Sequence, residues 1–312
     1  MEKLIVILGP TAVGKTRLSI DLAHRLHTEI ISGDSMQIYT GMNIGTAKAT
    51  FEEQEGIPHH LIDIIPPDGE FSVVDFQNFA ASHITRLNEQ GKIPILSGGT
   101  GLYVKSLLEG YLFHPTPGNS EERKKLEAEA NLFGNQYLHD KLAKVAPQIA
   151  QRLHPNDRNR IIRALETQSK EGSDIATGKI AEDENLIYDA VVIGLMMERH
   201  ALYERINQRV DGMMQQGLLQ EVSGLLSAGV PPEAQAMQAI GYKEIVAYLQ
   251  GTTSLDAAVA KIKQSTRHFA KRQITWYKKM PYIHWLHKEH FPDYQQLLEA
   301  AYNLIAGKFH FR

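Results

Sequence analysis

Residues 3–8 (KLIVIL) form an apolar run with no polar alternation, and Gly9-Pro10 ends it. That pattern predicts a strand buried on both faces, feeding a turn. From 15 to 26 the apolar residues return at helical spacing, at Leu18, Leu22 and Leu26. A second short run, 29–32 (EIIS), predicts another strand; 73–87 reads as a helix, 93–96 as a strand, and 102–108 as a helix behind the tight turn Gly98-Gly99-Thr100-Gly101. Strands alternating with helices predict a doubly wound parallel sheet of the α/β class, with helices on both faces.

The alternation stops at Pro115, Pro117 and Gly118. From 121 to about 170 the pattern is helical with no strand candidate, and the polar stretch 171–185 reads as a loop. Residues 188–196 (YDAVVIGLM) return as a core strand. Beyond Glu198 the chain reads as helical almost to its end, and Leu202, Ile206, Val210, Met213 and Met214 form a core-packing stripe. The expected organisation is an α/β core over 1–114, a helical insertion over 115–185, and a return strand with a helical C-terminal region over 186–312.

Composition changes this picture little. With 312 residues, 43% hydrophobic, a sizeable core can form without staples, and a formal charge of -3 names no partner. The absence of cysteine excludes disulfides, thiolate zinc sites and a cysteine nucleophile together. The apolar run at the N-terminus is too short for a signal-peptide core, and no stretch approaches the roughly 18 apolar residues of a membrane span. The expectation is a soluble cytoplasmic protein with no membrane association and no protein partner indicated.

Chemistry enters at the first turn. Gly9-Pro10-Thr11-Ala12-Val13-Gly14-Lys15-Thr16 matches G-x-x-x-x-G-K-[ST] between a predicted strand and a predicted helix, the context that makes the motif a phosphate loop. Backbone N–H groups and the helix N-terminus converge on an anion there. Lys15 adds a point charge, and the Thr16 hydroxyl can ligate Mg²⁺ on phosphate oxygens. The bland alternative is a glycine turn that only joins strand to helix. An NTPase usually has a second strand ending in Asp; here 93–96 runs into Ser97-Gly98-Gly99, and Asp63 is a substitute that a simple turn would explain equally well. Asp34, just past the second strand, should emerge at the carboxyl edge of the sheet near the loop, where an acceptor is held, unless it is only a turn residue.

The segment 32–39 (SGDSMQIY), followed by 41–48 (GMNIGTAK), resembles the tRNA dimethylallyltransferases. The resemblance extends over nearly the whole chain, through 59–64 (HHLIDI), 97–103 (SGGTGLY), 156–166 (NDRNRIIRALE), 217–222 (GLLQEV), 238–244 (QAIGYKE) and 266–277 (TRHFAKRQITWY). Val13 and Tyr277 depart from common family residues, at no position with a chemical role. The resemblance implies that the phosphate loop binds dimethylallyl diphosphate, that the acceptor is the exocyclic amine of the adenine 3′ of the anticodon, and that Asp34 takes the amine's proton. It implies that Lys15, Thr16 and Mg²⁺ stabilise the leaving pyrophosphate, with Arg209 on the diphosphate and Thr100 near the reacting centre. Without it, Thr100 reads as a helix cap and Arg209 as a solvated charge.

RNA signals accompany the motif. Residues 261–279 hold seven basic side chains (Lys261, Lys263, Arg267, Lys271, Arg272, Lys278, Lys279) and no acidic one, so they read as unneutralised. The interleaved Phe269, Trp276 and Tyr277 could stack on unpaired bases. Ile262, Thr266, Phe269 and Trp276 fall roughly on one helical face, however, so the aromatics should be core residues, with the basic face, Lys271 and Arg272 above all, on tRNA phosphates. The alternative is a solvated helix face. The resemblance also marks Asn159, Arg160, Ile161, Ile162 and Arg163 as tRNA-contacting, with Ser35, Met36 and Gln37 around the target base. Arg123 and the insertion as a whole are candidates to grip the anticodon stem-loop. Three other readings share the phosphate loop: a prenyltransferase acting on free adenine nucleotides, a small-molecule kinase, and a nucleotide-gated RNA-binding module without chemistry.

Overall fold

The computed structural model describes residues 1–113, 120–171 and 186–310. The polar stretch read as a loop over 171–185 and the boundary residues Pro115, Pro117 and Gly118 fall outside these, apart from residue 171. The chain divides into two compact units, Met1–Gly110 with Ala181–Arg312, and Tyr111–Ile180.

In the first unit a six-stranded sheet runs in the order β3-β2-β4-β1-β5-β6, formed by β1 (Lys3–Leu8), β2 (Ile30–Ser32), β3 (His59–His60), β4 (Ile95–Gly98), β5 (Asp189–Met196) and β6 (Ile283–His287). Every ladder is parallel: Ile5 of β1 lies in register with Ile95 on one side and Val191 on the other. A central parallel strand buries both faces, and β1 shows it: Leu4, Val6 and Leu8 enter one apolar cluster while Ile5 and Ile7 enter the other. Phe76, Ala80 and Ile84 of α2 (Val73–Glu89) and Val104 of α3 (Gly101–Glu109) cover the first face. Leu18 and Leu22 of α1 (Lys15–Leu26) and Leu297 and Ile305 of the terminal helix (Tyr294–Phe309) cover the second. The doubly wound reading holds. Insertion of β4 between β1 and β2 makes β1 the point where strand order reverses, which opens a crevice at the carboxyl ends of these strands.

One expectation fails. The region after Glu198 is not helical throughout, because Ile283–His287 pairs with Val192–Met196 as the edge strand β6. Its five residues, IHWLH, carry two histidines and bury only Ile283 and Leu286. Such a segment has no clean alternation; pairing with β5 makes it a strand. Among the described residues, no helix is long and apolar enough to cross a membrane.

The second unit contains α4 (Ser120–Phe133), α5 (Asn135–Val145), α6 (Pro147–Ala150) and α7 (Arg158–Glu171), with no strand among its described residues. Leu126, Leu138, Leu142, Ile161, Ile162 and Leu165 close a core of its own. Helices of the first unit follow: α8 (Arg199–Gln216), α9 (Leu218–Ser227), α10 (Tyr242–Leu249), α11 (Leu255–Tyr277) and the terminal α12.

Candidate functional site

The crevice at the strand ends holds a cavity of about 500 Å³, lined by Thr11, Gly14, Lys15 and Thr16 from the first turn and by Asp34 and Gln37 from the turn after β2. Ser97 to Gly99 after β4 and Arg205 and Arg209 of α8 complete much of the wall. The phosphate loop and the acid expected to face it therefore share one chamber.

Gly14 caps α1 at φ 105, a left-handed conformation that a side chain would strain. Lys15 leaves α1 and turns back, its Nζ donating to Gly9 O and Pro10 O at 2.9 Å each. Desolvation, with the Arg209 charge adding to it, pushes the ammonium down to about 8, while Asp34 opposes the shift. Arg209 reaches the loop through Nη1, 3.5 Å from Thr11 Oγ1. Gly9, Pro10 and Val13 are buried, so they shape the loop without lining the cavity. Ala12 is on the wall.

On the opposite side, Asp34 Oδ1 accepts the Met36 N–H at 2.9 Å, which orients the carboxylate. No hydrogen bond holds Oδ2 among the described residues. Gln37 takes the Ser32 hydroxyl at 3.0 Å on its Oε1. Thr100 sits at the start of α3 but makes no capping bond; its Oγ1 accepts the Ser35 N–H at 3.0 Å. Thr100 thus ties the second glycine turn to the acid turn, and neither Thr100 nor Ser35 nor Met36 lines the cavity. Asp63, weighed as a metal-holding substitute, is a turn residue whose carboxylate pairs with Lys48 Nζ at 2.5 Å.

Several contacts around the cavity escaped the sequence reading. Gln273 of α11, 5% exposed, bridges the two glycine turns: Thr11 N donates to its Oε1 at 2.9 Å and its Nε2 donates to Gly99 O at 2.7 Å. Tyr277, one turn on, donates its hydroxyl to the same carbonyl at 2.7 Å. A glutamine between the apolar positions of a long helix was the available signal. Arg205 donates to Ala12 O at 3.0 Å. Lys288, delivered by β6, donates to Val13 O at 3.4 Å. These cations occupy loop carbonyls, while the Thr11 and Val13 amides are already bonded to Gln273 and Pro10, so an anion is left the other amides of the turn.

The aromatics of α11 do not share one fate. Tyr277 is fully buried and Trp276 packs partly against the core, as expected, but Phe269 stands on the cavity wall. Nor is the basic face wholly unneutralised. Lys263 pairs with Asp211 at 2.6 Å and Arg267 donates to Asn207 Oδ1 at 2.6 Å, partners contributed by α8 that the local sequence could not reveal. Lys271 and Arg272 are exposed with no ion pair among the described residues, Arg272 lying 5.9 Å from the Phe269 ring centre.

In the helical unit, Asn159 and Arg160 are exposed, Arg160 lying 3.4 Å from Asp157. Ile161 and Ile162 are 0% exposed, so their side chains pack the unit's core and do not face RNA. The 3.6-residue period of α7 turns 159 and 160 outward and 161 and 162 inward. Arg123 and Arg163 both approach the buried Glu166 at 3.6 Å, and Arg123 also holds Glu127, a structural pairing that accounts for Arg123 without RNA.

Fold and site together define a P-loop protein in which the loop and the Asp34 carboxylate line one cavity. Residues 37–280 match the family model described as IPP transferase. A curated tRNA dimethylallyltransferase of Alkaliphilus oremlandii is 47% identical over 308 residues, 99% of this chain and 98% of that one. The solved tRNA isopentenylpyrophosphate transferase of Bacillus halodurans superposes with a TM-score of 0.75 at 45% identity, covering 99% of this chain and 97% of that one. A eukaryotic dimethylallyltransferase solved while acting on tRNA gives 0.80 at 30% identity, over 98% and 80%. The chain belongs to the IPP transferase family, whose members named here are tRNA dimethylallyltransferases.

Proposed function

We propose that this protein transfers a dimethylallyl group from dimethylallyl diphosphate to the exocyclic amine of the adenine 3′-adjacent to the anticodon of tRNA, releasing pyrophosphate. The observation that carries the reading is the single cavity lined by both Lys15 and Asp34. The diphosphate lies on the loop amides, Lys15 and Arg209, with Thr16 toward its outer oxygens. The flipped adenine enters from the Asp34 and Gln37 side. As the amine nitrogen bonds to the allylic carbon, the carbon–oxygen bond to the diphosphate breaks and the nitrogen's proton passes to Asp34 Oδ2. The amine is a poor nucleophile, so fixed orientation supplies much of the acceleration. Positive charge from Lys15 and Arg209 stabilises the leaving group.

Among the described residues, no cluster of three or more His, Asp or Glu could hold a metal. Mg²⁺ binds through substrate phosphates and one or two protein oxygens and keeps several waters; the Thr16 hydroxyl would supply one such oxygen. When bound, the ion would neutralise diphosphate charge. On the RNA side, Lys271 and Arg272 and the exposed Asn159 and Arg160 are the groups proposed for tRNA phosphates, and the helical unit for the anticodon stem-loop. Extruding the base costs a few kcal/mol, offset by pocket contacts. We place the protein in the cytoplasm with its substrate.

The test is incubation with labelled dimethylallyl diphosphate and Mg²⁺ plus unmodified tRNA, AMP or no acceptor. Label in tRNA at the adenine beside the anticodon is expected. Label only in AMP would overturn the RNA acceptor, ATP loss without prenylation would favour a kinase, and tRNA binding without product would leave a binding module.

A further inference from the structure

Two sequence segments, 217–222 and 238–244, have no role in the transfer scheme. The structure brings them together at one point, beneath the loop that follows the acid turn. Glu221, in the first turn of α9, accepts the backbone N–H of Asn43 at 3.0 Å and of Ile44 at 2.8 Å on Oε2, and that of Gly45 at 3.2 Å on Oε1. The Tyr242 hydroxyl, at the start of α10, donates to Oε1 at 2.5 Å. Burial, reinforced by the facing carboxylate, pushes the Tyr242 hydroxyl far above its usual value, so it remains a donor. The ring fills the place that a Cβ on residue 45 would occupy, which is why glycine stands there.

Three consecutive amides converging on one carboxylate make a charge-assisted cradle much stronger than ordinary loop bonds. It fixes the chain just before Thr46, Ala47, Lys48 and Ala49, which form part of the cavity wall. The coupling continues inward. Thr46 O accepts the Gln37 Nε2–H at 3.4 Å, and Gln37 Oε1 holds Ser32 beside Asp34. On the far side Lys48 is pinned by Tyr39 O at 2.9 Å and by Asp63. No hydrogen bond of this set touches Thr11, Lys15, Arg205 or Arg209.

We propose that Glu221 and Tyr242 are positioning residues: a latch that holds loop 43–49 and, through Thr46 and Gln37, sets the seat of the acceptor base without contributing to diphosphate binding. The inference rests on the transfer reading given above for its kinetic half, and on geometry alone for the loop. Neither side chain lines the cavity, so neither is a catalytic residue.

The experiment compares wild type, Glu221→Gln and Tyr242→Phe in three measurements: steady-state prenyl transfer with tRNA and dimethylallyl diphosphate each varied, calorimetric binding of inorganic pyrophosphate with Mg²⁺, and amide hydrogen exchange. Removing the charge weakens four hydrogen bonds at once, so Glu221→Gln is expected to raise the tRNA KM about tenfold, with pyrophosphate affinity within about twofold of wild type. Tyr242→Phe keeps the ring under Gly45 and should move the tRNA KM in the same direction by less. Amides of residues 43–45 should exchange faster in both variants while those of α1 do not change. A merely structural role would lower the fraction of active protein, reducing kcat with both KM values intact, and that result overturns the proposal. So does faster exchange at 43–45 with an unaltered tRNA KM, or an equal loss of pyrophosphate affinity. Should Glu221→Gln not fold, Tyr242→Phe carries the same comparison. If wild type leaves tRNA unlabelled, the transfer reading fails, and unchanged exchange in Tyr242→Phe would independently remove the latch.

Discussion

Replacing Gln273 with leucine conserves volume and helix propensity but removes both of the amide's backbone contacts, to Thr11 N and Gly99 O. The two losses differ. Gly99 O keeps the Tyr277 hydroxyl, so losing one of its two donors costs about 1 kcal/mol or less. Thr11 N has no other hydrogen bond among the described residues. An orphaned N–H costs about 1–3 kcal/mol if dry, but Thr11 lines the cavity, where water offsets part of the cost. The expected loss is therefore about 1–2 kcal/mol of unfolding free energy in urea, at unchanged m-value. Because Thr11 belongs to the anion cradle, freeing it from the second glycine turn should also weaken pyrophosphate binding by about tenfold, which calorimetry reads. Gln273→Glu sharpens the test. It keeps an acceptor for Thr11 N, places a carboxylate against Gly99 O, and adds negative charge beside the diphosphate. It should weaken pyrophosphate more than leucine does. If both variants bind pyrophosphate within twofold of wild type, Gln273 is a packing residue and the bridge has no functional weight.

Three further outcomes can be checked. Asp34→Asn retains an acceptor for the Met36 N–H, so the turn and tRNA affinity should persist while single-turnover transfer falls by about 10²-fold or more; near-normal turnover would remove Asp34 from the proton step. Burial beside Arg209 presses Lys15 down to about 8, and the negative charge of a bound diphosphate would raise it again, so the bound state would hold its proton more tightly. Pyrophosphate affinity is thus full below pH 8 and declines as pH rises above it; a flat profile from pH 7 to 9.5 would contradict this. Lys271→Gln with Arg272→Gln should lower the slope of log K against log salt for tRNA by about 2, and an unchanged slope would return these side chains to plain solvated surface.

How much was legible in the chain differs by element. The phosphate loop and Asp34 could be read because each depends on a few adjacent residues whose conformation is local: a buried strand, a glycine turn, a helix start. Local pattern also determined β1, α1, α2 and the helical character of residues 120–171, since an apolar period is a property of the segment itself. The stretch on α7 that the resemblance marks for tRNA was legible as a motif but not as a surface, because burial of Ile161 and Ile162 depends on α4 and α5 lying against them.

What tertiary structure alone decided were contacts between residues far apart in sequence. β6 is a strand because β5 offers it an unpaired edge, and it brings Lys288 to the phosphate loop. Gln273 acts on a turn 262 residues away, Glu221 on one 178 residues away, and Asp211 neutralises a lysine that the sequence left bare. Hydrogen bonds and ion pairs require atoms within a few ångströms, and such distances between remote segments are set by packing. Sequence could name the groups proposed to react; folding chose what holds them in place.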